Sequence, residues 1–166
     1  QDDIVIHLAA QSHVDVSFRN PVQTTVSNVV GIHSLLAACV KKGVKKIVIM
    51  STDEVYGSTE QIVDVNLLNP ANPYSASKAA ADMIVGAYKT MHPEITITTL
   101  RSNNIAGPGQ FINNIIPRFS VLGLLKKKFT LHGDGSAMRR YLWVKDAAEA
   151  IWLLAEKATE SQIYHI

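Results

Sequence analysis

Residues 47–57 read IVIMSTDEVYG, and residues 69–78 read NPANPYSASK. The apolar run Ile47, Val48, Ile49 and Met50 ends abruptly in Ser51, Thr52, Asp53 and Glu54. An unbroken run this short suits a strand buried on both faces. Polar residues at the carboxyl end of such a strand stand where open parallel sheets place their ligands. Further on, Asn72-Pro73 marks a helix start, with a capping side chain followed by proline at the first helical position. Tyr74 and Lys78 follow at i, i+4 spacing and so share one side of that helix. A phenol beside an ammonium is an acid/base device, because the cation favours the phenolate and lowers the pKa of the tyrosine. Alone, a YxxxK spacing fits a surface tyrosine and a solvated lysine equally well. Placed just after a strand ending in Ser-Thr-Asp-Glu, it is far more specific.

Working outward from this stretch, residues 3–8 (DIVIHL) read as a second buried strand, followed by Ala9-Ala10-Gln11-Ser12-His13. Small residues after a strand let a ligand approach the backbone. Residues 94–100 (EITITTL) read as a third strand, ending in Arg101-Ser102-Asn103-Asn104. Between the strands, residues 21–42 carry Val22, Val26, Val29, Val30, Leu35, Leu36, Cys39 and Val40 near a helical period, and Gly43 supplies the stop. Ser27 and Asn28 interrupt that pattern, and Ser27 faces either solvent or a ligand. The helix from Pro73 is rich in alanine, which permits close packing. Strands alternating with long helices predict a parallel, Rossmann-like sheet with flanking helices, whose polar strand ends share one edge and form the natural cleft.

After Gly107-Pro108-Gly109 the character changes. Residues 113–127 read as an amphipathic helix, 129–132 and 141–144 as short strands around a Gly133-Asp134-Gly135 turn, and 163–166 as the start of a strand. Asp146 reads as the cap of a last helix, 147–157, with Ile151, Trp152 and Leu154 as its core face. The chain accordingly divides into a Rossmann-like region, 1–105, and part of a smaller substrate-binding region, 106–166.

Composition narrows the field. A chain of 166 residues with 47% hydrophobic residues and a mean hydropathy of +0.10 can bury the core of one domain. Its net charge is +2, and its lysine runs fit solvated helix ends. Without basic-aromatic interleaving or finger spacing, nothing points to nucleic acid. The one cysteine, Cys39, falls in an apolar helical pattern and excludes an intrachain disulfide. No apolar run reaches membrane-spanning length and no signal peptide opens the chain, so a reducing, cytoplasmic setting is expected. No metal-ligand pattern is seen.

With STDEVYG and NPYSASK on one sheet edge, the chain resembles the extended short-chain dehydrogenase/reductases. Within them it is similar to the nucleotide-sugar 4,6-dehydratases that act on dTDP-glucose or UDP-glucose in deoxysugar (rhamnose) biosynthesis. The resemblance runs through essentially the whole chain, which matches only the middle part of that family's length. It implies an NAD-dependent internal redox reaction. Tyr74, as phenolate, takes the proton of the sugar 4-hydroxyl while hydride leaves C4, and Lys78 lowers the tyrosine pKa and bonds the nicotinamide ribose. Glu54 then removes the C5 proton, Asp53 protonates the departing 6-hydroxyl, and Thr52 bonds the 4-oxygen. Hydride returns to C6, so the cofactor is recycled. Two adjacent carboxyls also tend to split their pKa values, which suits an acid and a base.

The resemblance further assigns Leu8, Ala9, Ala10, Gln11, Ser27, Ser51, Tyr74 and Lys78 to the cofactor, and Ser12, Thr52, Asn104 and Arg139 to the substrate. The helices at 21–42 and 73–91 are implied as a homodimer interface. Ala106 stands where the family usually has tyrosine, and Asn113-Asn114 where it has Glu-Lys, both near the expected diphosphate. A glycine-rich pyrophosphate turn is absent from these residues, and GPGQ at 107–110 is not one. A piece of a longer enzyme is therefore expected. A sugar epimerase or reductase carrying the same motif, and a catalytically silent fragment, remain alternatives. The choice between dTDP and UDP stays open.

Overall fold

The computed structural model describes residues 3–58, 64–130, 134–135 and 138–166. Four strands, β1 (Ile4–His7), β2 (Lys46–Thr52), β3 (Thr96–Ser102) and β6 (Ile163–His165), form one all-parallel sheet in the order β1-β2-β3-β6. Ile47 lies beside both Val5 and Ile97, and Thr52 beside Ser102, so the polar ends of β2 and β3 meet at one sheet edge. A second, two-stranded parallel sheet joins β4 (Asn104–Ala106) to β5 (Tyr141–Trp143).

Strand alternation divides the core. Ile47 and Ile49 of β2 pack with Ile97 of β3 against Ile32, Leu36 and Cys39 of α3 (Gly31–Lys42) and Ala81 and Val85 of α4 (Pro73–Met91). Lys46 and Val48 alternate to the other face, where α6 (Val144–Lys157) packs and the Glu156 carbonyl accepts a bond from Lys46 Nζ at 3.1 Å. Cys39 is buried, as its place in the apolar pattern predicts.

The predicted elements are present with some corrections. The 21–42 helix is continuous but not uniform: α2 (Pro21–Thr25) and α3 are joined by a π turn, Val26–Val30, and a short α1 (Val14–Arg19) precedes them. Gly43 stops the helix with φ +72°, a left-handed geometry that costs glycine little. β1 is the end strand of the described sheet, with Ile4 46% and Ile6 38% exposed.

The second half departs further. The 113–127 helix shortens to α5 (Ile115–Leu124); of the predicted 129–132 strand, Phe129 and Thr130 are not in a strand, and residues 131–132 with the start of the 133–135 turn lie outside the described residues. Asp146 is not a cap. The helix already begins at Val144, its N-cap Trp143 makes no side-chain bond, and Asp146 sits in the first turn, where its charge suits the helix dipole. Trp152 is not core either: it is 60% exposed, because Ala147, Ile151, Leu154 and Ala155 occupy the inward face. Residues 106–166, read from the sequence as part of a substrate-binding region, contribute α6 and β6 to the main sheet.

Candidate active site

Thr52 ends β2 in extended geometry, and its hydroxyl accepts the Glu54 amide at 3.3 Å. That bond caps a short 3-10 turn, Asp53–Tyr56, which projects the two carboxylates from the sheet edge. Gly57 closes the turn at φ +70°, where a Cβ would come within 2.3 Å of the Asn69 carbonyl oxygen, so only glycine fits. On the facing helix, Asn72 forms a capping box with Ser75. The Asn72 side chain also donates to Glu54 Oε2 at 3.2 Å. One residue thus starts α4 and fixes the orientation of a carboxylate on the turn, a second task that the Asn-Pro signal did not reveal.

Asp53 is half-buried, and burial pushes its carboxyl above the usual range, against the bond from Thr52 and the positive charge of Arg139. An Asp that holds its proton more readily than normal can act as an acid. Tyr74, in the first turn of α4, behaves opposite to the sequence expectation. Its phenol is pushed up to about 12, first by burial and then by the charge of Glu54, while a bond with Thr52 pulls it down and Asp53 and Asp82 add to the rise. The expected lowering by Lys78 fails for a geometric reason: Lys78 Nζ donates to the Met50 carbonyl at 2.8 Å. The lysine is buried, and burial lowers its own pKa against the opposing charge of Asp82. Its charge also reaches His7 at the end of β1, whose imidazole is lowered by burial and by that ammonium.

The remaining predicted residues gather at the same edge. Leu8, Ala9, Ala10 and Ser12 are exposed beyond β1. Gln11 is held by Asn28, whose Oδ1 accepts the Gln11 amide at 2.7 Å and whose Nδ2 donates to the Gln11 carbonyl at 3.0 Å and to Ser77 Oγ at 2.8 Å. The π turn gives Asn28 this inward position, while its neighbour Ser27 is exposed and accepts from Gln23 Nε2 at 3.5 Å. Asn28 was visible in the sequence as a polar break in an apolar helix, but its task was not. Asn104 donates to the Arg140 carbonyl at 3.4 Å, and Arg139, exposed, donates to the Met138 carbonyl at 2.8 Å. Arg139 lies near enough to influence Asp53, so the second small sheet stands beside the carboxylate turn.

Ser51 Oγ is buried and has no partner among the described residues. An orphaned hydroxyl at a strand end, next to the open strip of Leu8, Ala9 and Ala10, fits a polar group of a cofactor lying across the edge.

A parallel sheet whose strand ends converge on a Thr-Asp-Glu turn and a Tyr-Lys helix is a Rossmann-like arrangement. The chain belongs to the NAD dependent epimerase/dehydratase family, whose profile matches residues 1–166. It is 43% identical over 170 residues to a trifunctional UDP-glucose 4,6-dehydratase, 3,5-epimerase and 4-keto-rhamnose reductase of Arabidopsis thaliana, matching 99% of this chain and 26% of that protein. DesIV from Streptomyces venezuelae, a dTDP-glucose 4,6-dehydratase crystallised as a double mutant with NAD, superposes with TM-score 0.93 at 34% identity, over 99% of this chain and 51% of its own. A UDP-glucose 4-epimerase from Thermotoga maritima superposes with TM-score 0.89 at 29% identity, over 98% and 54%. The chain therefore spans from about a quarter to about half the length of these relatives. No helix among the described residues is long and apolar enough to cross a membrane.

Proposed function

We propose that the protein carrying this chain is an NAD-dependent nucleotide-sugar 4,6-dehydratase, acting on dTDP- or UDP-glucose. The observation that carries this reading is the capped turn: Asp53 and Glu54 leave one strand end together, and the charges of both reach Tyr74. An internal elimination needs an acid and a base on one hexose, and an epimerisation at C4 needs neither carboxylate. NAD, held against residues 8–11, Ser51 and Lys78, would supply a hydride acceptor for C4 and return the hydride to C6.

The chain's own residues handle the protons. Tyr74 takes the proton of the 4-hydroxyl, with Thr52 placed to bond the same oxygen. Burial and the charge of Glu54 hold the phenol up at about 12, so positive charge brought to this edge favours the phenolate. Glu54, oriented by Asn72, removes the C5 proton made acidic by the 4-keto group, and Asp53 delivers a proton to the departing 6-hydroxyl. Ser12 and Asn104 contact the sugar and its diphosphate, and Arg139 offers a guanidinium fork to the phosphates.

The test is product mass. Full-length protein with NAD and either sugar nucleotide should yield a product lighter by one water and unchanged in nucleotide. An isomer of unchanged mass would establish the epimerase in its place.

A homodimer belongs to the same proposal. Val22, Val26 and Val30 form an exposed apolar stripe, with Val22 75% exposed, and Met83 of α4 is 72% exposed. Exposed apolar residues on two neighbouring helices suit a self-complementary four-helix contact. Val22→Glu with Val26→Glu should convert a dimer to monomers in analytical ultracentrifugation, while a wild-type monomer at micromolar concentration would refute the interface.

A further inference from the structure

Beneath the site runs a buried polar chain that the reaction scheme leaves unused. Asp82 lies on the same side of α4 as Tyr74 and Lys78, at i+8 and i+4 from them. Its Oδ2 accepts Arg101 Nε of β3 at 2.8 Å, with both side chains almost fully buried. Arg101 Nη1 donates to the Val65 carbonyl at 2.6 Å and to the hydroxyl of Tyr56. That hydroxyl also pairs with His165 Nε2 of β6 at 2.7 Å. Tyr56 is the last residue of the turn that carries Asp53 and Glu54. Four elements are thus tied through one guanidinium and one phenol: the redox helix, two strands, and the elimination turn.

A buried ion pair contributes little net stability, because desolvation offsets most of the attraction. Its stronger effect is to fix geometry, since breaking it leaves an uncompensated charge in the core. The groups around it complete the electrical picture: Lys78 and Lys89 on α4 face Asp82, His165 faces Arg101, and Glu54 and Asp53 face Tyr74. Asp82 is the acid that both lysines share, and Arg101 is the cation that holds Asp82 in place.

We propose that Asp82, Arg101 and Tyr56 are positioning residues, a buried brace that holds the Asp53–Glu54 turn in register with the Tyr74–Lys78 helix so that oxidation and elimination act on one bound hexose. This rests on the dehydratase reading. A displacement of about 1 Å at a reacting group can lower the rate on the order of 100-fold, so a brace of this kind matters for kcat more than for binding. It should also act unequally on the two steps. Oxidation draws on α4, the cofactor and Thr52 at the end of β2, whereas elimination also needs the carboxylates of the turn aligned to a sugar already oxidised.

Tyr56→Phe is the informative variant. It keeps the ring beside Arg101 and leaves the Asp82 pair and the Val65 bond intact, so the core charge stays compensated. In full-length protein we expect about a 10-fold lower kcat with KM for the sugar nucleotide unchanged, a transient rise in bound reduced-nicotinamide absorbance during single turnover, and faster hydrogen exchange at the amides of residues 53–56. Arg101→Lys keeps a cation beside Asp82 but loses the fork that reaches Tyr56 and Val65, and it should show the same partition. Wild-type kinetics in either folded variant, or faster exchange with no change in partition, would overturn the brace and leave the dehydratase reading standing. An isomeric product from the wild-type enzyme would overturn both.

Discussion

In the full-length protein, Asp53→Asn with Glu54→Gln should stop the loss of water and leave oxidation at C4 intact. Both replacements keep the size and hydrogen-bonding reach of the originals. Asn72 can still donate to the amide oxygen that takes the place of the Glu54 carboxylate, and Thr52 still caps the turn through the backbone amide, so the strand end keeps its shape. What disappears is a proton donor and a base, and general acid–base catalysis by a positioned group is worth about 100- to 10,000-fold. Because the two groups act on one elimination, their losses will not multiply, and a fall on the order of 1,000-fold in product release is expected. The variant should accumulate reduced cofactor, or a 4-keto sugar nucleotide that still bears its 6-hydroxyl, seen by absorbance and mass. Normal release of a dehydrated product would show that neither carboxylate carries the elimination.

Tyr74→Phe should act one step earlier. The phenol is the only group assigned to the 4-hydroxyl proton, and its loss should lower turnover by about 1,000-fold or more, with no reduced cofactor appearing. Binding of the sugar nucleotide, measured by calorimetry, should change little, since the residues assigned to the diphosphate are elsewhere. The fold should also hold. Tyr74 follows Pro73 in a helix whose start is secured by the Asn72–Ser75 box, and that box does not involve the phenol. The two variants therefore differ in a visible signal: the carboxylate pair traps reduced cofactor, and the tyrosine variant never forms it. A folded Tyr74→Phe protein that turns over at near-normal rate would remove Tyr74 from the chemistry.

Much of this arrangement was legible from spacing alone, because it depends on local rules. The apolar run at 47–50 must be buried, Asn72-Pro73 must start a helix, and Gly43 must end one, whatever surrounds them. The readings that failed depend on neighbours that the sequence does not name. Trp152 fits a helical period, but its turn of α6 faces outward. The Tyr74–Lys78 spacing predicts a shared helix side, and α4 provides it. Lys78 directs its ammonium to the Met50 carbonyl, twenty-eight residues away on β2, and burial together with the charge of Glu54 reverses the expected direction for the tyrosine. Asn28 needed both the π turn and the Gln11 loop before its three bonds could be seen.

The pairing of β6 with β3 has a consequence for how the substrate-facing half can vary. The chain leaves the main sheet after Ser102 and returns at Ile163, and the ends meet: the Asn103 amide donates to the Ile166 carbonyl at 3.0 Å, and the Ile166 amide to the Arg101 carbonyl at 3.2 Å. From Ser102 to the start of α6 at Val144, where the chain packs back on the sheet, the stretch that includes Asn104 and Arg139 is a long loop between two anchored ends. For such a loop the entropic cost of closure grows only slowly with length, about 0.6 kcal/mol for each doubling. Residues can be added to it or exchanged within it without stretching the strands that hold Tyr74, Lys78 and the carboxylate turn. Under the proposed dehydratase reading, the part assigned to the sugar nucleotide is thereby separate from the part assigned to its protons, and the first can drift while the second stays still.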